Sequence, residues 1–338
     1  MRFSLRSCFA VMAAAGLAGS LCSGTALAES ITGAGSSFAA PIYQAWGDAA
    51  ASATGLSVNY QSVGSSAGQN QVMAGTVDFG ASDAPLAPAK IASAHLFQFP
   101  TVMGGIVPVI NVPGVKTATL KLSGPVLAGI YAGEITDWND PKIAALNPGL
   151  KLPDMAIAPI HRADGSGTTF VFTSYLARSS ASWKENQGAA TSISWPGGLG
   201  ARGNDGVAAT VHNTEGAIGY VEFAYASRNN LTTVLLRNHA GENVEASQKS
   251  FAQAASSADW QHADHFAVDL LDTPGQGAWP IVSATYVLVP LAPADAARSK
   301  AVKKFFTWGF EKGDSLATGL DYVTLPPAVK TSILSSWK

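Results

Sequence analysis

Four times in this chain, an apolar stretch is followed by a short run of glycine and hydroxyl residues and then by a segment with helical spacing. The four runs contain Ser36 and Ser37, Ser65 and Ser66, Ser82 and Asp83, and residues 166–168. Strands that alternate with helices predict an α/β architecture, in which helices cover a mainly parallel sheet. Ligands of open α/β sheets bind at the carboxyl ends of the strands, where these runs would lie. We therefore expect the runs to form one site.

The run with the most chemistry follows an apolar segment at residues 155–160 and leads into a helical one at 170–176. It places Arg162 and Asp164 beside two glycines and three hydroxyl residues. A helix N-terminus offers unpaired N–H groups and partial positive charge, and a guanidinium adds a planar fork for oxyanions. The pattern favours an oxyanion site, although a structural Arg162–Asp164 ion pair with serine caps would look the same.

The first 28 residues have the features of a secretory signal peptide, with Arg2 and Arg6 ahead of a small, apolar stretch. We expect cleavage after Ala28 and export to the periplasm. Lipid attachment at Cys22 is an alternative that the bulky residue before this cysteine disfavours.

Both cysteines of the chain, Cys8 and Cys22, lie in that segment, so neither disulfides nor cysteine metal clusters are expected after cleavage. The remaining residues, about 310, suffice for two domains. Without Arg2 and Arg6, 19 basic residues face 23 acidic ones, a net charge of −4. This balance argues against a nucleic-acid partner, and it requires any anion site to be built locally.

Three other kinds of site have weaker support. Residues 33–38 break the dinucleotide fingerprint, and no Walker lysine motif is present. Residues 64–68 match the nucleophile elbow of serine hydrolases, with Ser66 as the candidate, but no histidine lies in a recognisable catalytic loop. His262 and His265 have the spacing of one helical turn without the further ligands that a metal needs.

Apolar periodicity also predicts individual elements. Separate strands are expected at residues 96–101 and 104–111, a short helix at 207–211, and a long apolar strand at 281–290. Residues 179–202, rich in Gly, Ser and Trp, are interpreted as a surface excursion.

Seven stretches, in order along the chain, resemble the periplasmic phosphate-binding protein of phosphate-specific ABC transporters. They read TGAGSSF (32–38), GSS (64–66), VDFGASDAPL (77–86), FQFPT (97–101), RADGSGT (162–168), GNDG (203–206) and GAIGYVE (216–222). The resemblance implies a two-lobed periplasmic binding protein fold of type II, each lobe a mainly parallel sheet flanked by helices, joined by two crossover strands. It also implies a monomer that binds inorganic phosphate and delivers it to membrane permease subunits, without catalysis, cofactor or metal.

Carried over residue by residue, the resemblance gives a set of phosphate ligands. They are Ser37, Phe38, Ser65, Asp83, Arg162, Ser166, Gly167 and Thr168. Phe38 would contribute its backbone N–H, and Asp164 would support the site by orienting Arg162. The family usually has threonine in the place of Ser37, which keeps a hydroxyl. Residues 67–71 depart from the family pattern of a second glycine and a lysine, which puts a surface charge in doubt but not the site.

The resemblance further implies that residues 29–105 and 284–338 form lobe I and residues 106–283 form lobe II. Crossovers are expected near residues 103–108 and 281–285, which puts Asp83 and Arg162 on opposite lobes. Phosphate keeps at least one O–H group at neutral pH, whereas sulfate has none. A buried Asp83 carboxylate would accept a hydrogen bond from phosphate and repel sulfate. A receptor for sulfate or another oxyanion would differ only at this residue.

Overall fold

The computed structural model describes residues 29–337, so the predicted signal peptide and both cysteines lie outside the described residues. The strands are β1 (Ser30–Gly35), β2 (Ser57–Ser62), β3 (Phe79–Ser82), β4 (Leu96–Asn111), β5 (Lys121–Leu122), β6 (Ala158–Arg162), β7 (Leu199–Ala201), β8 (Ala217–Glu222), β9 (Thr232–Thr233), β10 (Leu235–Arg237), β11 (Asn243–Glu245), β12 (Val282–Pro290) and β13 (Val323–Thr324). The helices are α1 (Ala40–Thr54), α2 (Ser65–Met73), α3 (Pro88–Ser93), α4 (Gly124–Tyr131), α5 (Pro141–Leu146), α6 (Gly167–Ser179), α7 (Ala181–Asn186), α8 (Gly203–Asn213), α9 (Phe223–Arg228), α10 (Gln248–Ala255), α11 (Ala296–Lys312), α12 (Asp314–Gly319) and α13 (Pro327–Ser336). A 3₁₀ turn spans Asp264–Phe266.

The main sheet has the order β2-β1-β3-β12-β4-β8-β6-β7. At one end β1 runs parallel to β2 and β3, and at the other end β6 runs parallel to β7 and β8. Between these ends, β12 and β4 run antiparallel to their neighbours. The mainly parallel character predicted from the sequence therefore holds for the two ends, which an antiparallel pair connects.

Strand β4 is the longest in the described chain and was predicted as two strands. That prediction was wrong, because residues 102 and 103 continue the strand and pair with both β12 and β13. The part up to Gly105 pairs with β12, and the part from Ile106 onward pairs with β8. One continuous strand thus passes from one half of the sheet to the other.

Close packing of glycines brings α2 onto the sheet. A β-carbon on Gly68 would lie 2.4 Å from the Ala34 carbonyl oxygen, and one on Gly80 would lie 2.7 Å from the Gly68 carbonyl oxygen. Only glycine permits these approaches between helix and strand. The first residue of α2, Ser65, is thereby held next to the end of β3.

Residues 179–202 lie mostly at the surface, as the sequence predicted, but they are not one continuous loop. The segment includes α7 and β7, and one side chain in it, that of Trp183, is buried, with its indole N–H donated to the Gly188 carbonyl (2.9 Å). Ser180 caps α7 by accepting a hydrogen bond from the Trp183 amide. Burial of this large ring outweighs the loop-forming composition. Helix α8 likewise begins at Gly203, ahead of the predicted residue 207.

Large aromatic side chains fill the core. Trp46, Trp138 and Trp279 are each at most 1% exposed. Each indole N–H donates to a backbone carbonyl, so these rings bury much apolar area and leave no N–H unsatisfied. No helix within residues 29–337 has the length and apolarity to cross a bilayer.

Candidate anion-binding site

One wall of the site is centred on Asp83, which directly follows β3 and is 1% exposed. Its Oδ1 accepts hydrogen bonds from Ser36 Oγ and Thr285 Oγ1, both at 2.6 Å. Ser65 Oγ lies 3.5 Å from Oδ2. Oδ1 is thus occupied by two short bonds, whereas among residues 29–337 only Ser65 makes a contact, a long one, with Oδ2.

The protonation of Asp83 follows from these surroundings. Burial raises the pKa of Asp83 to about 6, while the hydrogen bonds from Ser36 and Thr285 and the charge of Arg162 hold it down. At neutral pH the carboxyl group is therefore ionised and serves as an acceptor.

The turn between β1 and α1 contributes to the same wall. Ser37 Oγ accepts hydrogen bonds from the Asn204 amide N–H (3.2 Å) and side-chain Nδ2 (2.8 Å). A hydroxyl that accepts two bonds keeps its own proton for another partner. The Phe38 amide was predicted to donate to the anion. In the structure it donates to Ser36 Oγ at 3.0 Å, so an anion would have to share this N–H with Ser36.

The opposite wall holds Arg162, the last residue of β6, whose side chain is 1% exposed. Nε and Nη2 form a fork on Asp164, with distances of 2.7 Å to Oδ1 and 2.5 Å to Oδ2. Nη1 lies 3.4 Å from Thr168 Oγ1. The Arg162–Asp164 ion pair that the sequence allowed as an alternative is therefore present. It uses Nε and Nη2 of the guanidinium and leaves Nη1 outside the pair, beside Thr168.

Asp164 balances much of this charge. Partial burial opposes its ionisation, but the hydrogen bonds and charge of Arg162 outweigh it and lower the pKa of Asp164. Its Oδ1 also accepts the Gly203 amide N–H at 3.1 Å. The pair is thus fixed at both ends, which keeps the guanidinium in one orientation.

Helix α6 begins at this wall. Ser166 is its N-cap and accepts the Thr169 amide N–H at 3.0 Å. The amides of Gly167 and Thr168 make no hydrogen bond within the described residues. Two free N–H groups and the positive end of the helix dipole thus stand beside Arg162. The sequence predicted an anion site at this turn, and these donors are the ones that such a site would use.

The two walls meet at Gly167. A β-carbon placed on this residue would lie 2.5 Å from Ser65 Oγ and 2.7 Å from Asp83 Oδ2. The Ser66 amide also donates to the Gly165 carbonyl at 3.0 Å. A glycine is needed here because any side chain would hold the walls apart. The predicted residues are thus brought together on the two faces of one cleft.

Four residues near the site were not in the predicted set. They are Ser36, Asn204, Tyr220 and Thr285. Tyr220 accepts the Arg162 amide N–H (3.2 Å) and lies 2.6 Å from Thr169 Oγ1. Thr285 carried a usable signal, because a hydroxyl inside a long apolar strand needs a polar partner. For Ser36, the sequence cannot say which of two adjacent serines faces the carboxylate.

The alternative sites have different surroundings. Ser66 Oγ donates to Thr191 Oγ1 at 3.0 Å, and no histidine in the described part of the chain is among its hydrogen-bond partners. The side chain of His262 is 81% exposed and contacts Asp259. Residues 29–337 contain no group of three or more His, Cys, Asp or Glu residues able to hold a metal ion.

Comparisons with known proteins agree with this geometry. Residues 23–312 match the model of a PBP superfamily domain. The chain is 47% identical over 307 residues to the phosphate-binding protein PstS of Xylella fastidiosa, covering 91% of this chain and 84% of the relative. It is 48% identical over 313 residues to the phosphate-binding protein PstS of Haemophilus influenzae, covering 93% and 94%.

The fold is similar to that of a phosphate binding protein from Stenotrophomonas maltophilia, with a TM-score of 0.69 at 17% identity over 91% of this chain and 94% of that one. The predicted two-lobed periplasmic binding protein fold is thereby confirmed. The family model covers most of the chain, and the two relatives match about nine-tenths of its length. Both comparisons lead to one conclusion. The chain belongs to the PBP superfamily and, within it, to the family of PstS phosphate-binding proteins.

Proposed function

We propose that this protein binds inorganic phosphate in the cleft between its lobes and delivers it to the permease subunits of an ABC transporter. One observation carries the proposal. A buried carboxylate, Asp83, and a buried guanidinium, Arg162, stand on facing walls that touch at Gly167. The relatives named as phosphate-binding proteins support the same choice of ligand.

The balance of donors and acceptors fits phosphate. The site offers several donors, namely the Arg162 guanidinium, the free amides at the start of α6, and the hydroxyls of Ser37 and Thr168. Against these donors, Asp83 Oδ2 is a single ionised acceptor. An anion that accepts many hydrogen bonds and donates one matches this set. Sulfate has no proton for Asp83, and an unmatched buried charge costs about 1–3 kcal/mol or more.

The proposed ligands are the residues predicted from the sequence. They are Ser37, Phe38, Ser65, Asp83, Arg162, Ser166, Gly167 and Thr168, with Asp164 in support. Ser65 and Asp83 would bind from one wall, and Arg162 with the start of α6 from the other. Ser166 has the weaker claim to a side-chain bond, since its hydroxyl oxygen already caps α6.

We also propose the lobe boundaries given above, with residues 29–105 and 284–338 in lobe I and residues 106–283 in lobe II. The exchange of partners along β4 supports the first boundary, because pairing passes from β12 to β8 between Gly105 and Ile106. Strand β12 begins at Val282, opposite Gly105, which supports the second boundary. Both crossings then lie side by side, as a hinge requires.

The proposed role needs no catalysis, cofactor or metal. The protein would act as a monomer in the periplasm, after loss of residues 1–28. The interlobe contacts, such as Asn204 with Ser37 and Ser66 with Gly165, would form as the lobes close and would exclude water from the bound anion.

Calorimetric titration of phosphate-free protein tests this function. We expect inorganic phosphate to bind saturably at neutral pH, with one phosphate per chain, and sulfate to give no measurable heat. Saturable binding of sulfate with equal affinity would show a general oxyanion receptor. No heat with phosphate would contradict the proposal.

A further inference from the structure

Three consecutive backbone carbonyls in the turn at residues 36–38 each accept a hydrogen bond from a tyrosine hydroxyl. The donors, in order along the turn, are Tyr60, Tyr225 and Tyr322, at 2.7, 2.7 and 2.6 Å. They come from β2, from α9 and from the segment before β13. Carbonyls held in this way cannot turn toward an anion in the cleft, which they would repel.

The third of these tyrosines also contacts a buried carboxyl group. Glu222 ends β8, pairs with Ile106 where β4 changes partners, and is 0% exposed. Its Oε2 lies 3.2 Å from the Tyr322 hydroxyl and accepts the Ala224 amide N–H at 3.0 Å. Its Oε1 has no hydrogen-bond partner within the described residues.

Counting protons fixes the direction of the contact between Glu222 and Tyr322. A phenol has one proton, and the Phe38 carbonyl, which can only accept, lies nearer to it at 2.6 Å. The bond between Tyr322 and Glu222 then needs a proton from the carboxyl group. A protonated carboxyl oxygen can donate to Tyr322 and still accept from Ala224, whereas an amide nitrogen could only donate.

We propose that Glu222 is a positioning residue that acts as a neutral acid, donating to Tyr322 and thereby holding Tyr322 on the Phe38 carbonyl beside the anion site. This proposal rests on the phosphate-binding function proposed above. If Glu222 ionised, its carboxylate would accept the hydrogen bond of the Tyr322 hydroxyl. The Phe38 carbonyl would then lose its donor.

The surroundings of Glu222 favour the neutral form. Burial raises its pKa well above the ordinary value, the bond from the Ala224 amide opposes this, and the negative charges of Asp321 and Asp83 raise it further. A further titratable group nearby is Tyr225 on α9, whose pKa is raised by burial and also by the charge that Glu222 would carry. The unfolded chain loses this proton at a lower pH than the folded one. The stability that the neutral form contributes is therefore lost as pH rises through the folded pKa.

Infrared spectroscopy tests the protonation without phosphate. At neutral pH we expect the wild-type protein to show a carbonyl band of a protonated carboxyl group that is absent from the Glu222→Gln variant. Spectra without this difference would overturn the proposal, whatever the protein binds. A normal phosphate titration of the wild type beside a missing band would overturn this inference alone.

Calorimetry then tests the path from Glu222 to the site. Loss of one hydrogen bond predicts that Glu222→Gln and Tyr322→Phe each weaken phosphate binding about fivefold. The double variant should be no weaker than the worse single one, because both changes remove the same bond to Phe38. Tyr60→Phe is the matched control, since it releases the Ser36 carbonyl and should add independently to Glu222→Gln.

A pH series completes the test. The affinity advantage of the wild type over Tyr322→Phe should shrink as the pH rises and Glu222 ionises, while its advantage over Tyr60→Phe stays constant. Additive losses at Glu222 and Tyr322, or parallel pH profiles for the two tyrosine variants, would show that Glu222 has only a packing role.

Discussion

The two walls of the cleft handle charge in opposite ways. On one wall Arg162 is held by Asp164 in a two-bond fork, so its positive charge is largely balanced within the wall. On the other wall Asp83 is surrounded by the neutral hydroxyls of Ser36, Ser65 and Thr285. Its negative charge is therefore stabilised by hydrogen bonds, with the Arg162 charge reaching it only across the cleft.

Because of this difference, we expect one wall to attract anions and the other to select among them. The wall of Arg162 and α6 offers donors that any oxyanion could use. The wall of Asp83 offers an acceptor that only a protonated anion can satisfy. Substitutions in the wall of Arg162 should weaken the binding of all oxyanions alike. Substitutions in the wall of Asp83 should change which oxyanion binds more tightly.

The largest expected effect comes from removing the charge of the attracting wall. Arg162→Ala takes away a buried donor and leaves Asp164 without its partner, which should cost about 3 kcal/mol of binding, or over a hundredfold in Kd. Titration with phosphate at neutral pH measures the loss. Arg178→Ala, at an exposed arginine in the last turn of α6, is the control and should stay within twofold. Equal affinities for wild type and Arg162→Ala would remove Arg162 from the site.

A smaller effect should follow from keeping the walls apart. In Gly167→Ala the new β-carbon would fall 2.5 Å from Ser65 Oγ, so the lobes could not close fully. We expect about a tenfold weaker Kd, since closure contributes on the order of 1.4 kcal/mol. Small-angle scattering with phosphate should show a more open variant. Gly206→Ala is the matched control, because its β-carbon would meet atoms only at 3.6 Å or beyond. A Gly167→Ala variant that closes and binds normally would contradict the contact described here.

The smallest effect concerns the pH range of selection. Because the pKa of Asp83 is about 6, its carboxylate is the acceptor above that pH and becomes a donor below it. Preference for phosphate over sulfate should therefore fall as the pH drops through 6. The hydrogen bond from Thr285 lowers this pKa, so Thr285→Val should move the change to higher pH, by less than one unit. Competition between the two anions at several pH values measures the shift. A midpoint unchanged by Thr285→Val would mean that this bond does not tune Asp83.

The sequence predicted the elements that carry short polar turns. The turns at Ser65, Asp83 and Arg162 each follow a strand, because the alternation of apolar segments and glycine-rich turns is a local property of the chain. It did not predict the unbroken β4, whose middle residues are held by partners from distant segments. Within residues 179–202 it also did not predict α7, β7 or the burial of Trp183, which depends on tertiary packing.

The predictions for the site also succeeded or failed according to whether a feature depends on local sequence or on distant partners. The resemblance predicted that Arg162 and Asp83 lie on opposite lobes, and this assignment stays a prediction. It did not give Thr285 as a partner of Asp83 Oδ1, because Thr285 lies about two hundred residues away in sequence. The role of Ser37 as a double acceptor from Asn204 was also hidden, since hydrogen-bond direction depends on the folded geometry.

The claim that Asp83 selects the anion is tested most directly by titrating Asp83→Asn with sulfate at neutral pH. The amide keeps the size of the side chain and can donate a hydrogen bond, so the charge that repels sulfate is gone. We expect saturable sulfate binding in the variant and none in the wild type, with weaker phosphate binding in the variant. A variant that still binds phosphate and still rejects sulfate would contradict the account of how this cleft chooses its ligand.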